Sequence, residues 1–246
     1  MDALTIAMVC ALAAAAAFTQ SLSGFGFSLL IVPPLALILG PRDAVVTANA
    51  LGLLVNAVTL QRLHEHVDWR LGATLFAAAA AGMPVGLLVL IFVPRDALQV
   101  LIAVVVLVST VLIWRGWRIQ KTGRASDWGV GLVSGVLNTS TSMSGPPVVL
   151  YLQGQGFLRG MFRATLTAYF LAGGALATVL FLLSGQFHAE TAGLTLLAAP
   201  GLLAGFVIGH TIFHRLDEAR FRQIVIAVLI LSACLAMVGP VLRAFE

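Results

Sequence analysis

Apolar runs of about 17 to 25 residues recur from end to end of this chain, each long enough to cross a hydrocarbon core of about 30 Å. That recurrence restricts the fold more than any other feature. In lipid every backbone N–H and C=O must be satisfied internally, so the runs read as transmembrane helices of an all-α integral membrane protein. Of the 246 residues 60% are hydrophobic and 10% charged, against about 25% charged in soluble domains. No stretch is left for a soluble catalytic domain. The net charge of +4 could suggest a nucleic-acid partner, but the basic residues cluster in loops rather than on one face. They read as topology signals, with the bilayer as the partner. The first 20 residues lack the basic start of a signal peptide and read as a mature span.

Ten segments are expected. The first covers Ala3 to Thr19, and the second, Phe27 to Leu39, is too short to span unless it is half of a broken pair. Segments three to five cover Ala44 to Leu60, Leu71 to Val93, and a run after Asp96 that continues to Trp114. Segment six runs from Trp128 to Leu137, and segment seven, Gly145 to Leu152, is again short. Segments eight to ten cover Ala164 to Leu183, Thr191 to Phe213 and Ile224 to Val241. Between the short segments and their predecessors stand two polar breaks, Gln20 to Gly26 and Asn138 to Ser144. A break of this kind persists at membrane depth only when buried in protein or lining a wet cavity. After the second break Pro146 and Pro147 suit the first turn of a new helix, where a missing N–H costs nothing.

The chain divides into a first membrane repeat (1–114), a basic linker (115–127) carrying Arg115, Arg118, Lys121 and Arg124, and a second membrane repeat (128–246). The halves match in kind. Each has about five segments, the first two short and broken, re-entrant-like, near the midplane. Gly24 to Gly26 falls opposite Ser142 to Ser144, Thr47 and Asn49 opposite Thr165 and Thr167, Gly86 opposite Gly205, and Asp96 opposite Asp217, at offsets of 118 to 121 residues. Alternate loops place 11 of the 14 basic residues on one side, with Arg42, Arg95 and Arg243 on the other. By the enrichment of cytoplasmic loops in Lys and Arg, the linker is cytoplasmic, both termini are outside, and the two repeats are inverted. Inverted repeats with broken helices are the architecture of many secondary transporters.

A helix that starts inside the membrane aims unsatisfied N–H groups and its positive dipole end at whatever fills the break, which favours an anion. The expected binding groups are the hydroxyls of Ser23, Ser140, Ser142 and Ser144 and the open N–H groups near Gly24, Gly26 and Gly145. Asn138 and Thr139 complete the second break. Thr47, Asn49, Thr165 and Thr167 form a second wall. Arg163, two residues before Thr165, offers forked donors to an oxyanion or serves as an interfacial anchor. For any single Ser, Thr or Gly, close packing or back-bonding to the helix is the alternative. Asn138 to Ser144 stands apart because six of its seven residues are Ser, Thr or Asn. Asn56 and Tyr151 are secondary candidates.

No Asp, Glu or Lys sits well inside an apolar span, so no buried carboxylate relay is visible. His64, His66, His188, His210 and His214 read as interfacial, and His64-Glu65-His66 lacks the spacing of a zinc motif. Cys10 and Cys234 lie in apolar segments without paired spacing. No metal, cofactor or enzymatic activity is expected. An intramembrane enzyme would need a nucleophile beside a base, and the serines have no buried His partner.

Several short stretches carry a family resemblance. They are Gly24-Phe25-Gly26 followed by Val32-Pro33, Ala44-Val45-Val46-Thr47, His66-Val67-Asp68-Trp69-Arg70 and Pro84-Val85-Gly86. In the second half they are Ser144-Gly145-Pro146-Pro147 and Arg163-Ala164-Thr165. In this order and spacing the chain resembles the sulfite exporter TauE/SafE family of bacterial membrane carriers over nearly its whole length. The resemblance implies outward transport of small sulfur-containing or carboxylate anions such as sulfite, sulfonates and sulfoacetate. The breaks are less glycine-rich than is usual in that family, which bears on the identity of the substrate. The expected function is therefore alternating-access export of a small oxyanion through the inner membrane, with an anion channel as the alternative. Oligomeric state stays open, a homodimer included.

Overall fold

The computed structural model describes residues 3–120 and 123–212. Segment ten, Cys234, His214, Asp217, Lys121, Arg215, Arg220, Arg222 and Arg243 lie outside the described residues. The described chain is helical throughout, with no strand among the described residues. Its helices are α1 (Ala3–Ser23), α2 (Phe27–Ile38), α3 (Pro41–Leu63), α4 (Trp69–Phe92), α5 (Arg95–Trp114), α6 (Arg124–Thr141), α7 (Gly145–Gly154), α8 (Arg159–Leu183) and α9 (Ala189–Ile212), with a 3-10 turn at His64–His66. Six of these, α1, α3, α4, α5, α8 and α9, are long and apolar enough to cross a membrane. The chain is a multi-pass membrane protein. At about 1.5 Å per residue, α2 and α7 reach only about 18 and 15 Å, half a bilayer each.

Sequence punctuation sets most boundaries. Gly24 and Gly26 hold φ of 80° and 95°, the left-handed region where a side chain is strained. Gly40 precedes Pro41 at the first turn of α3, and Asp68 caps α4 by accepting from the Leu71 N–H at 3.0 Å. The polar breaks are shorter than the sequence suggests. Helix α1 runs four residues beyond Thr19, to Ser23, and α6 begins at Arg124 and runs past Leu137 to Thr141. The reason is back-bonding. Ser140 and Thr141 donate to the carbonyls of Val136 and Leu137 one turn earlier, at 2.7 and 2.9 Å, so polar side chains satisfy themselves without leaving the helix. The open intervals shrink to Gly24–Gly26 and Ser142–Ser144. The linker likewise shortens to 115–123, and Ile119 N–H donates to the Leu150 carbonyl at 3.0 Å, fastening it along α7.

The core separates into two apolar clusters. One gathers residues mainly of α1, α2, α3, α5 and α9, with Leu90 of α4, Met143 of the second break and Ala177 and Phe181 of α8, and the other gathers α4, α6, α7 and α8. Helix α4 thus packs with the second half of the chain and α9 with the first. Both crossings depend on glycine. A Cβ on Gly86 of α4 would lie 2.1 Å from the Val136 carbonyl of α6, one on Gly135 would lie 2.0 Å from that of Ala79, and one on Gly205 of α9 would lie 2.1 Å from that of Ala14. Backbones this close exclude any side chain and gain van der Waals contact where lipid supplies no hydrophobic drive. Between the clusters α3 lies on α8, joined by the Asn49 amide donating to the Gly174 carbonyl at 3.2 Å and to Thr178 Oγ1 at 2.9 Å.

Candidate functional site

The two breaks meet. Ser28 Oγ, in the first turn of α2, lies 3.4 Å from Ser142 Oγ in the second break. Beside this pair is a cavity of about 50 Å³, room for roughly three or four waters. Its polar lining comes from Gln20, Ser28, Asn49, Asn56, Asn138, Ser142 and Ser144, and its apolar side from Phe27, Leu53, Met143 and Phe170. The starts of both half-helices, Gly26 to Leu29 and Ser144 to Gly145, belong to the lining. Gly26 has no side chain to cap α2, and Ser144 makes no capping bond to α7. The positive ends of two helix dipoles are therefore directed at one small volume. Phe170 covers the start of α7, with its Cζ 3.5 Å from where a Cβ on Gly145 would stand.

Hydrogen bonds fix the walls. Gln20 Nε2 donates to Asn56 Oδ1 at 2.7 Å, and Asn56 Nδ2 to the Gly52 carbonyl at 2.7 Å. Tyr169 Oη donates to Ser134 Oγ at 2.6 Å, which donates in turn to the Ser144 carbonyl at 2.6 Å. This buried relay holds the second break from behind. Asn138 differs from its neighbours: it is 4% exposed, lines the cavity and has no side-chain hydrogen bond among the described residues.

Of the residues singled out by sequence, Gly26, Asn49, Asn56, Asn138, Ser142, Ser144 and Gly145 come together around the cavity. The others do not line it. Ser23 Oγ is engaged locally with the Thr19 and Phe25 carbonyls. Thr139 donates to the Met83 carbonyl at 2.6 Å, joining α6 to α4, and Ser140 back-bonds within α6. Thr165 Oγ1 accepts from the Asp68 N–H at 3.0 Å, Thr167 donates to the Arg163 carbonyl at 2.8 Å, and Thr47 Oγ1 is buried with no partner. Arg163 donates from Nη2 to the Ser21 carbonyl at 2.8 Å, a cation at the C-terminal end of α1 where the dipole favours it. Its stem lies against Gly24, where a Cβ would come within 2.9 Å of Cγ.

Sequence reasoning passed over Gln20, Ser28, Phe170, Ser134 and Tyr169. Gln20 sat in the first break and carried a usable signal, an amide at the edge of an apolar run. The other four look like ordinary residues of membrane helices. Asp68, Arg70 and Asp127 surround a separate hollow of about 230 Å³ at the ends of α4 and α6, beside Tyr151, which donates to Asp127. The charges stand there and at helix ends, away from the central cavity. No group of three or more His, Cys, Asp or Glu residues suited to a metal occurs among the described residues.

Comparison with known proteins accords with this arrangement. A protein of Cupriavidus necator described as "Probable sulfite/organosulfonate exporter TauE" is 25% identical over 227 residues, covering 89% of each chain. No solved structure gives a significant match. The profile of the family described as "Sulfite exporter TauE/SafE" matches residues 9–236, most of the length over which the helices and both breaks are laid out, and the chain belongs to that family.

Proposed function

We propose that this protein is a secondary transporter that exports a small oxyanion across the inner membrane by alternating access. Sulfite, organosulfonates such as sulfoacetate, and small carboxylates form the substrate class. One observation carries the reading: both breaks and both half-helix starts converge on a single cavity lined by amides and hydroxyls. Helix N-termini bind anions, and a site near the middle of a helical bundle can be exposed alternately to either side. The name given to the Cupriavidus relative supports the sulfur-oxyanion class and the outward direction. The reciprocal packing of α1 on α9 and α6 on α4 through glycine supports two inverted repeats, with re-entrant half-helices α2 and α7. The basic linker supports a cytoplasmic loop at 115–127 and termini outside.

In this reading the cavity residues Gly26, Asn49, Asn138, Ser142, Ser144 and Gly145 contact the anion. Ser23, Gly24, Thr47, Thr139, Ser140, Arg163, Thr165 and Thr167 shape the surrounding helices. Reconstitution into liposomes tests the function. Saturable uptake of sulfite or a small sulfonate that is accelerated by the same anion on the opposite side is expected. Absence of saturable flux across sulfite, sulfonates and small carboxylates removes the substrate class. Single-channel conductance without counterflow replaces the carrier with a channel.

A further inference from the structure

We infer that the central cavity narrows this substrate class by charge state, accepting monoanions and rejecting dianions, so that of the anions named sulfoacetate, doubly charged at neutral pH, is excluded. This rests on the proposed reading of the cavity as the anion site. The first ground is charge. No Lys, Arg, His, Asp or Glu is among the lining residues. The lining comes from α1, α2, α3, α6, α7 and α8, whose described charged residues are Arg42, Asp43, Arg62, Arg124, Asp127, Arg159 and Arg163 and whose other titratable groups are Cys10, Tyr151 and Tyr169. The charged ones lie in first or last turns, save Arg163 at the start of the second turn of α8, and none of these groups lines the cavity. Arg163 is held on the Ser21 carbonyl behind the first break. The positive potential available is thus that of two helix N-termini. Each is equivalent to about half an elementary charge, so together they match about one negative charge.

The second ground is the supply of donors. At α7 the second and third residues, Pro146 and Pro147, carry no N–H, leaving Gly145 as the donor of the first three. The amide N–H groups of Asn49 are committed to the Gly174 carbonyl and Thr178 Oγ1 and are not offered to a ligand. Asn138, a residue 4% exposed that lines the cavity, is the lining amide without a side-chain hydrogen bond among the described residues. An amide that borders the cavity without a protein partner can complete its hydrogen bonds with a polar ligand there. The desolvation cost of an ion rises with the square of its charge in the Born description, and uncharged dipoles do not offset it as a cationic side chain would. A second negative charge therefore meets a roughly fourfold larger penalty with no added compensation.

The test is calorimetric titration of purified protein with three probes. Methanesulfonate is a monoanion at all accessible pH, sulfate is a dianion throughout, and sulfite loses its second proton near neutrality. Methanesulfonate is expected to bind with an affinity that does not change with pH, which also controls for titration of the protein. Sulfite affinity is expected to fall as pH rises, by about tenfold per pH unit once the dianion dominates, and sulfate is not expected to compete. The inference is overturned if sulfate binds as tightly as methanesulfonate, or if sulfite affinity stays level or rises with pH. If none of the three binds, the oxyanion reading falls, and the charge inference with it.

Discussion

Asn138 concentrates what the site has to offer. It is 4% exposed, lines the cavity and has no side-chain hydrogen bond among the described residues, whereas Gln20, Asn49 and Asn56 are already tied to one another, to Thr178 or to backbone carbonyls. A hydrogen bond to a charged group contributes about 1.5–3 kcal/mol. Asn138→Ala is therefore expected to weaken anion binding by about ten- to a hundredfold, with little effect on unfolding temperature. Asn138→Asp, which brings a like charge to the anion, is expected to abolish it. Unchanged binding by Asn138→Ala in a calorimetric titration would remove this residue from the site. The same scale shows what sequence can and cannot reveal. Asn138, Ser142, Ser144 and Gly145 stand out because a polar run is costly in lipid. Arg163 stands out for the same reason, yet spacing along the chain does not say which way a long side chain reaches. Here its guanidinium lies on the Ser21 carbonyl. Ser134 and Tyr169 were invisible because a single hydroxyl in a membrane helix resembles many others, and only their adjacency makes a relay.

At the level of elements, the ordering of helices was legible, as were the starts of α2 and α7 at Phe27 and Gly145 and the ends of α5 and α8 at Trp114 and Leu183, whereas the ends of α1 and α6 at the breaks were not. A Ser or Thr that back-bonds to the preceding turn satisfies its hydroxyl inside the helix, so composition alone cannot separate the last turn of α6 from the break after it. Glycine is likewise ambiguous until its neighbour is known. Gly86 and Gly135 each face a backbone carbonyl at a distance that admits no Cβ, whereas a Cβ on Gly129 would meet nothing within 4 Å. Gly86→Ala and Gly135→Ala are expected to destabilise the protein by about 1–3 kcal/mol, as overpacking does. Gly129→Ala should be neutral or slightly stabilising. Thermal unfolding in detergent measures the contrast, and equal midpoints for the three variants would mean that α4 and α6 can separate freely. The linker adds a second case. A Cβ on Gly154 would lie 2.1 Å from the Ile119 carbonyl, so Gly154→Val should push the linker off α7. Faster tryptic cleavage at Arg115 and Arg118 is the expected sign, and an unchanged digestion rate would show that the strap tolerates the added bulk.

Across the whole molecule the two halves are not equally satisfied. In the proposed repeat, Thr165 in α8 and Thr47 in α3 match at an offset of 118 residues. Thr165 Oγ1 accepts from the N–H of Asp68, the residue that caps α4. Thr47 is 1% exposed and its hydroxyl makes no hydrogen bond, not even to the carbonyl one turn back. A buried hydroxyl without a partner costs about 1–3 kcal/mol, a cost that a carrier with two exchanging states can recover if the bond forms in the other state. Under the proposed inverted repeat, the matching donor belongs to the start of α9, so the two threonines would bond alternately as the halves exchange roles. Thr→Val removes the hydroxyl at nearly constant volume. Thr165→Val is expected to lower stability by about 0.5–1.5 kcal/mol through loss of a made bond. Thr47→Val should leave stability unchanged or raise it, while slowing flux in liposomes because the second state loses a bond that the first never had. Stability and transport then move in opposite directions, which simple damage to packing does not produce. If Thr47→Val transports at the normal rate, its hydroxyl has no part in the cycle, and the asymmetry between the halves is a feature of packing alone.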